Sequence, residues 1–132
     1  MKKIIYCFII IFILFNAQSL TAMTLEDSIN HSERSAKNIL RDEYRNPTET
    51  LEFFEIKPNM TVIELSPGSG WYTEILSTYL YNQGKLIAAA YDPNLSDYAK
   101  RSRESYERKL KSKEIYNKVE IVNLFSKLSD DG

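Results

Sequence analysis

Along the second half of the chain, short continuous runs of hydrophobic residues alternate with segments whose hydrophobic residues recur at helical spacing. Runs of β-branched and apolar residues fill Thr61–Leu65, Lys85–Tyr91 and Val119–Val122, and each run is short and bounded by turn residues, which predicts a buried strand. Residues 71–80 and about 96–115 carry apolar positions at helical spacing. The alternation predicts an α/β fold: a partial doubly wound (Rossmann-like) parallel sheet of about three strands with flanking helices on both faces.

The stretch before the first strand predicts an N-terminal helical cap over residues 23–58. A threonine followed three residues later by an aspartate is typical of a helix start, and the apolar spacing beyond it predicts one helix from about 25 to 44. The Asn-Pro pair at 46–47 predicts the start of a second, short helix. Lys57–Asn59 is expected to form a turn before the sheet, in which Asn59 can adopt a left-handed conformation.

The first 22 residues have the layout of a secretory signal peptide. Lys2 and Lys3 precede an unbroken apolar run, Ile4–Phe15, and small residues follow up to Ala22. A membrane span needs about 20 apolar residues, so cleavage is favoured over a permanent anchor. Cleavage is expected after Ala22, with Ser19 as the alternative site. We expect an exported chain, periplasmic or secreted, that has no stable span after cleavage and is membrane-tethered if cleavage fails.

Composition narrows the classes of function. The 132 residues contain 17 Lys and Arg against 18 Asp and Glu, a net charge of −1, which gives no reason to expect a nucleic-acid partner. One His and one Cys exclude a His/Cys zinc cage and an internal disulfide, and no metal site is expected.

The residues around the first strand–helix turn carry the candidate chemistry. In open parallel sheets, ligands bind beyond the carboxyl ends of the strands. Gly68 and Gly70 allow close approach of the backbone to a ligand there, and Ser66 and Pro67 complete the loop. Asp92 follows the second strand, 22 residues after Gly70, the distance expected for an acid that binds ribose hydroxyls.

Glu64 decides between two nucleotide ligands. A carboxylate just before the loop repels the pyrophosphate of a dinucleotide such as NAD, and Thr73 stands where the last glycine of the dinucleotide pattern is expected. The same carboxylate attracts an ammonium or sulfonium group. Trp71 and Tyr72 add ring faces that a sulfonium can contact. S-Adenosylmethionine is therefore favoured as the cofactor, although each of these residues also has a purely structural interpretation as a tight turn or as packing.

At these positions the chain resembles class I S-adenosylmethionine-dependent methyltransferases. Glu64–Gly70 followed by Asp92 is similar to the first two motifs of that family, and residues 41–91 resemble predicted bacterial methyltransferases that carry signal peptides. The resemblance implies that Glu64 and the Pro67–Gly70 loop face the methionine part of the cofactor and that Asp92 binds ribose. Ser66 and Asn59 stand where the family usually has glycine.

The resemblance covers only the front half of a methyltransferase domain. Residues 59–132 are expected to form a truncated Rossmann-like domain with an S-adenosylmethionine half-site. Its first strand would have an unpaired apolar edge, which invites a second chain that completes the sheet. The residues that orient a methyl acceptor are not assigned. Two alternatives stay open: a non-catalytic exported module that binds a small ligand, and a vestigial fragment that needs a partner chain.

Overall fold

The computed structural model describes residues 23–125, so the predicted leader at 1–22 and the last seven residues lie outside the description. Helices precede and separate the strands in the predicted order. The elements in chain order are α1 Leu25–Ile29, α2 Ala36–Ile39, α3 Asp42–Arg45, α4 Pro47–Phe53, β1 Thr61–Leu65, α5 Trp71–Tyr79, β2 Lys85–Ala90, α6 Asp97–Leu110, a 3₁₀ turn Glu114–Tyr116 and β3 Glu120–Asn123.

The three strands form one parallel sheet in the order β1-β2-β3. The register pairs Glu64 with Ala88 and Ala88 with Ile121, so these residues share one face. Helices α5 and α6 connect successive strands, as parallel pairing requires. The predicted partial Rossmann-like α/β fold is confirmed.

Both connecting helices lie on the same face of the sheet. Leu86 packs in one core cluster with Ile75 and Leu76 of α5, and Ala88 packs in a second cluster with Tyr106 of α6. Leu86 and Ala88 point to one side because side chains alternate along a strand. Each new strand is added on the same side of the one before it, in the order β1-β2-β3. Right-handed crossovers that step in the same direction place their helices on the same face of the sheet.

The opposite face of the sheet is open within residues 23–125. Ile63 and Leu65 of β1 are 57% and 66% exposed, and Val122 of β3 is also exposed. The prediction of helices on both faces is therefore not met by the described residues.

The outer edge of β1 is bordered by an apolar groove. Among the described residues β1 pairs with β2 alone, and a groove of about 560 Å³ runs along its other side. Its lining comes mainly from β1, α4 and α5 and includes Phe54, Ile63, Leu65, Tyr72 and Leu76. The predicted unpaired apolar edge is present in this part of the chain.

The prediction of one long helix from 25 to 44 is wrong, because three short helices occupy that stretch. The break follows from contacts with distant residues. Ser35 has extended backbone angles, and its N–H and hydroxyl both donate to the Glu74 carboxylate. Arg34 turns inward and donates to the Ile29 carbonyl at 2.6 Å. A continuous helix would remove both contacts.

The predicted helix starts are correct, and so is the predicted turn at Lys57–Asn59, which the Met60 N–H closes on the Lys57 carbonyl at 3.1 Å. Thr24 and Asp27 form a reciprocal capping box, and α4 begins at Pro47. Asn59 itself does not have a positive φ; among the non-glycine residues described, positive φ occurs at Asn46, Glu55 and Ser66. Within residues 23–125 no helix is both long and apolar enough to cross a membrane, and no group of acidic, His or Cys side chains there is arranged to hold a metal ion.

Candidate functional site

The loop between β1 and α5 contains three residues in the left-handed region. Ser66, Gly68 and Gly70 have φ values of 50°, 55° and 73°. A Cβ on Gly68 would make only an ordinary van der Waals contact, 3.9 Å from the Ser66 carbonyl oxygen, so backbone conformation alone favours glycine there. A Cβ on Gly70 would lie 2.6 Å from the Cε atom of Lys109. Gly70 thus lets α6 approach the start of α5, whereas glycine at position 68 is favoured by its positive φ.

Ser66 is the strained position of this loop, since an L-residue in the left-handed region costs about 1–2 kcal/mol per residue. We expect Ser66→Gly to raise the free energy of unfolding by about 0.5–1 kcal/mol, because relief of the strain exceeds the added freedom of glycine in the unfolded chain. Ser66→Ala keeps the Cβ and is the matched control. Urea unfolding measures both variants, and an equal gain in the two would contradict this explanation.

Glu64 lies at the base of the loop with its carboxyl group buried. The residue is 8% exposed, and the Thr73 hydroxyl donates to its Oε2 atom at 2.6 Å. The Tyr106 hydroxyl lies 2.9 Å from the same Thr73 oxygen. Because the Thr73 proton is used toward Glu64, Tyr106 donates to Thr73. A chain of three hydrogen-bonding groups therefore joins β1, α5 and α6.

Burial raises the pKa of Glu64 to about 7, while the hydrogen bond from Thr73 and the charges of Lys109 and Arg45 act in the opposite direction. The carboxyl group is thus close to half protonated at neutral pH. A cation that binds beside it favours the ionised form. This is the electrostatic property that a sulfonium or ammonium ligand would use.

A small crevice opens beyond the carboxyl ends of β1 and β2. Its enclosed volume is about 130 Å³, and its lining includes Ser66, Gly68, Tyr91, Tyr98 and Tyr106. The rings of Tyr91 and Tyr98 meet edge to face with centroids 6.2 Å apart. Sites for small molecules usually measure about 300–1,000 Å³, so only a ring-sized part of a nucleotide fits inside and the remainder would lie over the open loop. The lining of aromatic rings and permissive backbone suits such a ligand.

Asp92 follows β2 at this end of the sheet but is only 6% exposed. Its Oδ1 atom accepts the Asn94 N–H at 2.9 Å, and its Oδ2 atom accepts the Asn123 amide at 3.2 Å. Arg103 donates to the Asn123 Oδ1 atom. A carboxylate has about four acceptor positions, so Asp92 retains capacity for hydroxyl donors. Sequence reasoning missed Asn123 and Arg103, which have no local signal.

Trp71 and Tyr72 do not offer free ring faces in the way the sequence suggested. The Trp71 ring is 2% exposed, and its N–H donates to the Asn38 carbonyl and to Asp42. The guanidinium of Arg45 lies 4.4 Å from the centroid of the Trp71 ring and 5.5 Å from that of Tyr72. The cation at these rings is therefore a side chain of the protein itself, and Tyr72 also lines the groove beside β1.

A buried charged cluster joins the cap to the loop region, and no local pattern in the sequence indicates it. Glu74 of α5 accepts from Ser35, and its Oε1 atom lies 2.5 Å from the Lys109 ammonium. Arg34 is fully buried and donates to both carboxylate oxygens of Asp42 at 2.6 and 2.8 Å. These partners are up to 39 residues apart, so no local pattern could reveal the pairing.

A comparison with known protein families gives a match over most of the chain. Residues 30–125 match the model of the protein-L-isoaspartate(D-aspartate) O-methyltransferase family. The chain belongs to this family. Its members are S-adenosylmethionine-dependent class I methyltransferases, so the predicted class of enzyme and the predicted methyl donor are confirmed. No curated protein and no solved structure gives a significant match to the chain.

Proposed function

We propose that this methyltransferase binds S-adenosylmethionine across the Ser66–Gly70 loop, with the ring-sized crevice beside it receiving part of the nucleoside. The observation that carries the proposal is the buried Glu64 carboxyl group at the base of a loop in which Ser66, Gly68 and Gly70 have positive φ. Within residues 23–125 no cationic side chain forms an ion pair with Glu64, and such a buried acid is suited to a ligand that brings its own positive charge.

Each group of residues has a separate task in this proposal. Glu64 attracts the ammonium and sulfonium charges, and Ser66, Pro67, Gly68 and Gly70 shape the backbone under the methionine part. Asp92 accepts hydrogen bonds from the ribose, held in place by Asn123. Trp71 and Tyr72 act through Arg45, whose guanidinium lies over their two rings at the start of α5. When bound, the cofactor supplies an electrophilic methyl group on a sulfonium, and the chain contributes position and orientation.

Titration calorimetry tests the binding site directly. We expect the full chain to bind S-adenosylmethionine and S-adenosylhomocysteine but not NAD. Glu64→Gln should weaken S-adenosylmethionine at least about 10-fold, since a charge-assisted contact contributes about 1.5–3 kcal/mol. Glu104→Gln, which removes an exposed acid of α6, is the matched control. Equal binding of wild type and Glu64→Gln would contradict the assignment of Glu64.

Methyl transfer needs an acceptor, and the family is named for L-isoaspartyl and D-aspartyl residues of proteins. We infer that a carboxylate of this kind is the first acceptor to test. Transfer of a radioactive methyl group from S-adenosylmethionine to an L-isoaspartyl peptide tests this acceptor, and the L-aspartyl peptide is the control. Binding of the cofactor without transfer to any acceptor would favour a non-catalytic binding module.

We also propose that the chain is exported and loses residues 1–22. The support is the positive start, the apolar run Ile4–Phe15 and the small residues near Ala22. N-terminal sequencing of the protein recovered outside the cytoplasm is expected to begin at Met23. Recovery only from the cytoplasm with Met1 intact would reject the proposal.

Finally, we propose that a second chain binds along the exposed edge of β1. The exposed Ile63 and Leu65 side chains and the apolar groove beside them support it, because an unpaired apolar strand edge readily accepts another strand. We expect wild type to self-associate or to capture a partner in sedimentation experiments, and Leu65→Lys to remain a monomer. A monomeric wild type with no partner would reject it.

A further inference from the structure

Two arginines of the cap are held over the loop between β1 and α5. Arg41 precedes α3 and Arg45 ends it, so the two side chains are four residues apart and lie on one side of the helix. The Arg41 Nη1 atom lies 3.5 Å from the hydroxyl of Ser69, which belongs to the loop. The Arg45 guanidinium lies over the rings of Trp71 and Tyr72 at the start of α5. Both cations thus border the proposed cofactor loop.

Neither guanidinium forms a salt bridge within residues 23–125. Asp42, which lies next to Arg41 in sequence, is engaged by Arg34 through both of its oxygens. Glu43 is exposed and lies two residues from each arginine, on a different side of α3. Among the described residues, the side-chain hydrogen bonds of Arg41 are long ones, to Ser69 and Asn38 at 3.5 Å. Most N–H groups of the two arginines therefore have no hydrogen-bond acceptor in this part of the chain and can bind an anion.

Arg45 is oriented before any ligand arrives. Its planar group lies 4.4 Å from the Trp71 ring centroid, and Trp71 is fixed by hydrogen bonds to the cap. A guanidinium that lies against a ring keeps its N–H edge available for a carboxylate. Because its rotamer is already restricted, binding costs less side-chain entropy than at a free arginine.

Charges of opposite sign therefore border one loop. The Glu64 carboxyl group lies at its base, and the two guanidinium groups lie on the side of the cap. We propose that Arg41 and Arg45 together bind a carboxylate group beside the loop, and that this carboxylate belongs first to the methionine end of the cofactor, whose ammonium faces Glu64. The inference rests on the proposed function and extends it to residues of the cap. A carboxylate of the methyl acceptor has the same chemistry and is the second source.

Two ligands distinguish the contribution of the amino-acid end of the cofactor to affinity from that of the nucleoside. S-Adenosylhomocysteine carries the carboxylate, and 5′-methylthioadenosine lacks the whole amino-acid end. Titration of the full chain with both ligands gives two affinities for wild type, Arg41→Gln, Arg45→Gln and Arg45→Lys. Arg108→Gln, an exposed arginine of α6 outside the crevice lining, is the control of equal charge change.

We expect each Gln variant to weaken S-adenosylhomocysteine about 10-fold, the size of one charge-assisted hydrogen bond, and to leave 5′-methylthioadenosine unchanged. Arg45→Lys should lose an intermediate amount of affinity for S-adenosylhomocysteine, because lysine keeps the positive charge but lacks the paired N–H donors of the guanidinium. The alternative result is that the variants keep their affinity for S-adenosylhomocysteine and show a raised KM for an L-isoaspartyl peptide at unchanged kcat. That result would mean that Arg41 and Arg45 bind a carboxylate of the methyl acceptor.

Two results would overturn the inference. The first is no change in either the cofactor affinity or the KM of the peptide. The second is an equal loss of both nucleoside ligands, which would mean that the arginines only support the structure of the loop. If wild type binds neither ligand, the proposed function itself fails, and the inference fails with it. Binding of 5′-methylthioadenosine by wild type distinguishes the two failures.

Discussion

Asp42→Asn is expected to lower the free energy of unfolding by about 3 kcal/mol, the lower end of the range for breaking a buried ion pair. Arg34 has a fully buried side chain, and Asp42 is its bidentate partner. Asparagine keeps an oxygen that accepts from the Trp71 N–H but removes the negative charge. The guanidinium then stays buried with Glu74, 4.0 Å away, as its nearest remaining acid.

Urea unfolding measures this loss, and Glu43→Gln is the control because Glu43 is the exposed acid next in sequence. The double variant Arg34→Met/Asp42→Leu should recover much of the stability, since apolar replacement of a buried ion pair is often neutral or stabilising. A loss below about 1 kcal/mol in Asp42→Asn, within the range of an exposed ion pair, would show that the pair is solvated in solution.

The strands and α5 could be predicted because their signals are local. Thr61–Leu65 is apolar, β-branched and followed by a proline and two glycines, so strand and loop are both specified within ten residues. The helix from Trp71 repeats its apolar positions at the spacing of one helical face. The last strand begins one residue later than predicted, at Glu120, an ordinary uncertainty at an element end.

The cap and the surroundings of the loop depend on contacts between distant residues. The apolar spacing from 25 to 44 fits one helix, but Glu74 attracts Ser35 and thereby breaks it. In the same way, the faces of Trp71 and Tyr72 look available in the sequence, whereas Arg45 covers them in the fold. A single sequence contains no record of which distant charge will meet which ring, so these features could be found only in the structure.

The open face of the sheet shows the same limit at the level of topology. The sequence indicates parallel strands joined by helices but not the direction in which the next strand is added. The order β1-β2-β3 places α5 and α6 together and leaves Ile63 and Leu65 exposed. Helices were predicted on both faces of the sheet, whereas within residues 23–125 they cover one face only.

Stability should fall as the pH rises from about 4.5 to about 7, and Glu64 is the cause. Its pKa is about 7 in the fold and 4.5 in the reference state, because burial disfavours the charged carboxylate. A raised pKa in the fold contributes stability that is complete below the unfolded pKa and is lost as the pH passes the folded pKa. With about 1.4 kcal/mol per pKa unit, the loss approaches about 3 kcal/mol at pH 8.

Urea unfolding at pH 5 and pH 8 measures this difference, and Glu64→Gln should remove most of it because glutamine does not titrate. Glu104→Gln, on the exposed side of α6, should keep it. The pH dependence of ligand binding is expected to have the opposite sign. A cationic ligand stabilises the ionised carboxylate, so S-adenosylmethionine should bind more tightly at pH 8 than at pH 5 and release protons on binding. Calorimetry in two buffers of different ionisation enthalpy counts those protons. A pH dependence equal in wild type and Glu64→Gln would show that other groups control it, and proton uptake on binding would contradict a cation beside Glu64.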